Sequence, residues 1–117
     1  MQTQAIRRGD IYYAEIPCGE GSVYYGLRPI LVVSNNANNT YSRTVTAIPL
    51  TSKKKTHLPT HVMIPAGNGL KVDSTVMCEN ICNYSMDLLR GRVGVIDEKS
   101  LLMKQIEQAI RIQVGIA

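Results

Sequence analysis

The sequence predicts a mainly β domain closed by one C-terminal α-helix. Short β-branched runs recur at close spacing between Ile11 and Val95, separated by turn-forming residues. Only near the end does the apolar pattern change to spacings of three and four, at Leu102, Ile106, Ala109, Ile110 and Val114. No internal repeat or linker divides residues 1–117, so a single domain is expected. Short strands followed by one helix indicate a small, strongly curved sheet or a partly open barrel.

The elements follow in order. Residues 1–9 are polar and basic and read as a loose arm. Ile11 to Ile16 form a first strand, ended by Pro17. Cys18 to Gly26 carry three glycines without periodicity and read as a mobile loop. The uninterrupted run Ile30-Leu31-Val32-Val33 suits a strand buried on both faces, with Pro29 at its beginning because proline has no N–H for a ladder. Asn35 to Asn39 read as a turn, since asparagine tolerates left-handed backbone and bonds its own main chain. Thr44 to Leu50 return as the other hairpin arm, and Thr51 to Thr56 make a hydroxyl-rich, basic loop. Thr60 to Ile64 and Ser74 to Ile81 give two more strands around the turn Pro65 to Gly69, and a short one covers Arg92 to Val95. Asp97 is the expected N-cap of the final helix, with Glu98 at the positive end of its dipole.

Composition narrows the function classes. The core must be built without Phe or Trp, from Ile, Val, Leu, Met and six Tyr. Thirteen Lys and Arg against nine Asp and Glu give a net charge of +4, which favours anionic partners without selecting one. Three cysteines cannot all pair internally, and the amino end lacks the pattern of a signal peptide, so a reducing cytoplasm is the expected location. No segment approaches the ~20 apolar residues of a membrane-spanning helix.

Arg28 stands where the Cys18 to Gly26 loop enters the most strand-like run of the chain. Its guanidinium, charged at any working pH, can grip a phosphate or carboxylate through parallel donors. Around it lies an ordered set of motifs: Arg8-Gly9-Asp10-Ile11-Tyr12, Gly21-Ser22, Gly26-Leu27-Arg28-Pro29 leading into Ile30 to Asn35, and Leu58-Pro59-Thr60-His61-Val62. With Asp73-Ser74 and Glu79, this set resembles the MazF/PemK-type toxins of bacterial toxin–antitoxin systems over nearly the whole chain. The resemblance implies an SH3-like barrel of the CcdB/MazF type, a homodimer, and cleavage of single-stranded RNA without a metal ion or other cofactor. It also implies a protein antitoxin as inhibitor, and an acidic, partly disordered chain would suit the basic surface.

The resemblance assigns the catalytic pair to Arg28 and Thr51, and the chemistry agrees. Metal-free RNA cleavage uses the substrate's own 2′-hydroxyl, leaving the protein to position the sugar and stabilise a dianionic phosphorane. Arg28 can supply charge and a bidentate grip, and the Thr51 hydroxyl can donate to a non-bridging oxygen. RNA contacts are expected from Ser22, Tyr24 and Tyr25 before Arg28, from Ser52, Lys53 and Lys54 after Thr51, and from Glu79 and Asn80. Tyrosines there can stack on unpaired bases, and the lysines can form an electrostatic approach. Many relatives carry glutamine and arginine where this chain has Asn80 and Cys82, a difference that bears on which RNA sequence is read. Glu79 is either an acceptor for the 2′-hydroxyl proton or a base amino group, or a half-exposed strand carboxylate.

Rival readings remain in view. His57 and His61 could form an acid–base pair, although His61 lies in a strand pattern. The spacings His57-x-x-x-His61 and Cys78-x-x-x-Cys82 imitate zinc ligands, but an extended Cys78 to Cys82 would span about 13 Å, too far for one ion. No metal site is expected. A CcdB-like toxin that binds DNA gyrase, or a plain nucleic-acid-binding barrel, would need neither Arg28 nor Thr51 as a reacting pair.

Overall fold

The computed structural model describes residues 5–18, 25–53 and 56–117. They form seven strands, β1 (Asp10–Ile16), β2 (Gly26–Val32), β3 (Thr44–Thr51), β4 (His61–Ile64), β5 (Ser74–Met77), β6 (Cys82–Ser85) and β7 (Leu89–Val95). Two helices, α1 (Asn36–Tyr41) and α2 (Leu101–Val114), complete the fold. The antiparallel ladder runs β4-β5-β3-β2-β1-β7, with β6 also on β3. The path ends at β4 and β7 without joining them, so the expected mainly β barrel is present in a loose, open form.

Strand β3 organises this sheet. One edge pairs with β2 at Ala47, Ile48 and Pro49. The other pairs with β6 over Thr44–Ala47 and with β5 at Leu50 and Thr51. β5 and β6 are thus two pieces of one line antiparallel to β3, interrupted beside Ile48 and Pro49. This corrects the expected continuous strand Ser74 to Ile81. The chain leaves the ladder at a 3-10 turn, Cys78–Asn80, where Ile81 N–H donates to the Cys78 carbonyl at 3.2 Å. A proline in the middle of β3 suits such a break because it has no N–H to offer.

Both faces of the sheet are covered, which is why its central strands read as continuous apolar runs. Ile11, Leu31, Ile48 and Leu50 face α2 through Met103, Ile106 and Ala109. Tyr12, Ile30, Val32, Val45, Ala47, Tyr84 and Leu89 form a second cluster. Strand β2 begins at Gly26, so Pro29 lies inside it, opposite Tyr13, rather than at its start. It is tolerated there because pairing with β3 begins only at Ile30.

Other boundaries also differ from expectation. The segment from Ile6 to Gly9 is fastened, not loose. Ile6 is buried, and Arg8 donates through Nε to the Val33 carbonyl at 3.1 Å and through Nη2 to Glu107 Oε2 of α2 at 2.7 Å. The asparagine-rich turn is the helix α1, capped by Asn35, whose side chain accepts the Asn38 N–H at 2.8 Å. Strand β7 starts at Leu89, three residues before the expected Arg92. Ser100, not Asp97, caps α2 by accepting the Met103 N–H at 3.1 Å. Asp97 shapes the preceding turn, accepting the Lys99 N–H on its side chain and the Ser100 N–H on its carbonyl. Glu98 lies before the cap and faces Arg8 at 3.9 Å. Val114 is exposed, so the buried stripe of α2 ends earlier than the periodicity suggests.

Candidate active site

Arg28 projects from β2 opposite Ala14, held in register by the β1 ladder. It is half-buried, and its Nε donates to the Tyr25 carbonyl at 3.1 Å. That bond fixes the plane of the guanidinium. Among the described residues its terminal nitrogens have no partner, so both remain to receive an anion. Thr51 is the last residue of β3, opposite Thr75, and only 4% exposed. Its Oγ1 accepts the Lys53 N–H at 3.2 Å, which leaves the hydroxyl proton available for donation.

These two side chains line one cavity of about 190 Å³ together with Tyr13, Pro29, Ser52, Lys71 and Ser74. A second cavity of about 420 Å³ adjoins it through Ser52 and is lined by Lys53, His57, His61, Met63, Asp73 and Thr75. The structure therefore brings Arg28, Thr51 and Ser52 together and places Lys53 next door. Tyr25 is exposed and touches the site through its carbonyl. Ser22, Tyr24 and Lys54 lie outside the described residues. Lys71 and Tyr13 were not singled out from the sequence. Tyr13 could have been found from its place in the β1–β2 pairing beside Arg28, whereas Lys71 carried no local signal.

Glu79 and Asn80 occupy the 3-10 turn after β5 and line neither cavity. Glu79 accepts from the Thr60 hydroxyl at 2.8 Å and lies 2.7 Å from His61 Nε2. Asn80 contacts the Met77 sulfur at 4.0 Å. His61 Nδ1 accepts the Leu58 N–H at 3.4 Å, which assigns the ring proton to Nε2 and directs it at Glu79. Both nitrogens of the buried His61 are thus engaged inside the protein, and its ring meets that of His57 edge-on at 6.4 Å. Cys78 is buried below α2 and Cys82 is exposed. Among the described residues no three His, Cys, Asp or Glu side chains converge as metal ligands.

Burial by itself would raise the Glu79 pKa, but the His61 hydrogen bond, its own backbone and Thr60 together hold it below the ordinary 4.5. A carboxylate whose folded pKa is depressed contributes stability that is complete above its unfolded pKa and is lost as pH falls through the folded one. Glu79→Gln is therefore expected to cost about 1 kcal/mol near neutrality and to flatten the loss of stability below pH 4.5. Urea unfolding of both proteins at a series of acidic pH values checks this. Parallel stability curves would show that Glu79 carries no such linkage.

The chain also matches known proteins over almost its whole length. The family model for the PemK-like, MazF-like toxin of type II toxin–antitoxin systems matches residues 7–114. Endoribonuclease MazF of Staphylococcus saprophyticus is 33% identical over 113 residues, covering 95% of this chain and 92% of that protein. Endoribonuclease EndoA of Bacillus subtilis is 31% identical over 113 residues, covering 95% and 96%. A solved mycobacterial endoribonuclease in complex with its cognate antitoxin superposes with a TM-score of 0.78 at 29% identity, covering 97% of this chain and 98% of that one. With a cavity shared by Arg28 and Thr51, and a family match over almost its full length, this chain belongs to the PemK-like, MazF-like toxins of type II toxin–antitoxin systems.

Proposed function

We propose that this toxin is an endoribonuclease that cleaves single-stranded RNA without a metal ion, using the ribose 2′-hydroxyl as nucleophile. The observation that carries the reading is the convergence of Arg28 and Thr51 on one cavity, with the terminal nitrogens of Arg28 and the Thr51 hydroxyl proton unpartnered among the described residues. The 2′-oxygen forms a bond to phosphorus, and the bond from phosphorus to the 5′-oxygen breaks. The proton lost by the 2′-hydroxyl balances the one gained by the leaving oxygen. The products are a 2′,3′-cyclic phosphate, or the 3′-phosphate from its hydrolysis, and a 5′-hydroxyl.

Arg28 grips two phosphate oxygens as negative charge grows on them, and Thr51 donates to a non-bridging oxygen. Tyr25, Ser52 and Lys53 flank the cavity and contact the adjoining nucleotides, and the resemblance adds Ser22, Tyr24 and Lys54 to the RNA-binding set. Glu79 orients His61 at the wall of the second cavity, with Asn80 beside it in the same turn. The toxin acts in the cytoplasm as a homodimer and is held inactive by an acidic antitoxin that covers the same basic face. The solved relative bound to its cognate antitoxin supports that partner. Among the described residues no helix is long and apolar enough to cross a membrane.

The experiment is incubation of the purified protein with a mixed-sequence RNA in excess chelator. Fragments bearing 5′-hydroxyl ends are expected. RNA left intact, with no antitoxin present, would overturn the reading.

A further inference from the structure

One wall of the Arg28–Thr51 cavity is the segment Leu70-Lys71-Val72, which none of the functional assignments above uses. Its placement is unusually constrained. The preceding turn lies against β7 backbone to backbone. A Cβ at Gly69, where φ is +89°, would sit 1.9 Å from the Val93 carbonyl oxygen, and one at Gly94 would sit 1.6 Å from that of Asn68. Only glycine at both positions permits the approach. The turn is closed by paired bonds, Gly67 N–H to the Leu70 carbonyl at 2.9 Å and Leu70 N–H to the Gly67 carbonyl at 2.8 Å. Leu70 is buried in the core before Lys71, and Ser74 is buried after it. Asp73 reaches back to accept the Ala66 N–H at 2.7 Å. The backbone bearing Lys71 is therefore pinned on both sides while the side chain stays exposed, with no hydrogen bond or ion pair among the described residues.

Charge supplies the second half of the argument. A phosphorane formed by 2′-hydroxyl attack carries two negative charges, and Arg28 brings one positive charge while Thr51 brings none. Cavities built around such a dianion gain from a further fixed cation, because its attraction grows as the charge develops. We propose that Lys71 is a catalytic residue that contacts the scissile phosphate in the Arg28–Thr51 cavity and supplies the second positive charge. The assignment rests on the endoribonuclease reading. An ammonium suits this position, since its three rotatable donors can follow the phosphate as its geometry changes, while Arg28 holds the fixed fork.

The test is steady-state cleavage of one single-stranded RNA substrate by wild type, Lys71→Met and Lys71→Arg across a salt series. Met keeps most of the stem and removes the charge. The expected result is that Lys71→Met lowers kcat by about 100-fold, the low end for removal of one oxyanion donor, with KM little changed. Lys71→Arg restores kcat to within about 10-fold of wild type, because the charge returns in a different shape. A rise in KM at unchanged kcat, with a shallower salt slope, would make Lys71 a distant groove charge and overturn the proposal. Equal kinetics for all three proteins would overturn it too. Circular dichroism confirms that the variants are folded, and a folded Lys71→Arg as inactive as Lys71→Met would count against the charge argument. If wild type itself leaves RNA uncut, the endoribonuclease reading fails first, and the two failures are distinct.

Discussion

Arg28→Ala is expected to abolish RNA cleavage, with a loss of at least about 1000-fold in kcat, while the protein keeps its circular dichroism spectrum and unfolds close to the wild-type temperature. The two halves of that expectation come from different parts of the structure. Arg28 makes one side-chain hydrogen bond among the described residues, to the exposed Tyr25 carbonyl, so truncation strands no buried polar group. The strand itself is held by the Ile11–Ile16 ladder and by the buried Ile30, Leu31 and Val32, none of which depends on the guanidinium. Under the proposed mechanism, catalysis by contrast loses both its charge and its bidentate geometry at the phosphorus. Arg28→Lys recovers only part of the rate, because an ammonium restores charge without the fork. Single-turnover cleavage and thermal melts on the same preparations check both halves. An alanine variant that cuts RNA at the wild-type rate would remove Arg28 from the mechanism, and one that unfolds would make it a structural residue.

The second large effect lies in the substrate. Replacing the ribose at the cleaved linkage by a single 2′-deoxyribose removes the proposed nucleophile and is expected to leave the oligonucleotide uncut, while binding weakens by less than about 10-fold. The reason is that the cavity offers a cation and a hydroxyl donor to stabilise charge, with the attacking oxygen supplied by the sugar. A deoxy-substituted strand should therefore behave as a competitive inhibitor of the all-ribose substrate. Mass spectrometry of the products and inhibition kinetics give the two readouts. Scission at the deoxy linkage at an undiminished rate would require another nucleophile and would sink the 2′-hydroxyl mechanism.

How far these residues could be read in the linear chain depends on where their partners lie. The Arg28 motif was visible because its neighbours in space, Pro29 and the apolar run from Ile30, are its neighbours in sequence. Thr51 was assigned by the family resemblance, which puts the threonine at the end of the hairpin arm that returns beside that run. Ser74 to Ile81 misled because the break between β5 and β6 is decided by β3, which changes partner near Pro49. The same long-range pairing takes Glu79 out of a strand and gives it to Thr60 and His61. The capping error at α2 is local. Asp97 and Ser100 both have the chemistry of a cap, and the turn between them, in which Ser100 Oγ donates to the Asp97 carbonyl at 2.7 Å, selects the later one.

The sequence by itself determined the mainly β character and the closing amphipathic helix, and its resemblance to the toxin family singled out Arg28 and Thr51. The first two are properties of periodicity, which needs no partner from elsewhere in the chain. Tertiary structure alone decided that the sheet stays open, that Glu79 turns toward His61, and that Lys71 lines the same cavity as Arg28. Each of those depends on contacts between residues far apart in sequence, such as Gly69 against Val93, whose meeting is set by the packed sheet and by no local pattern.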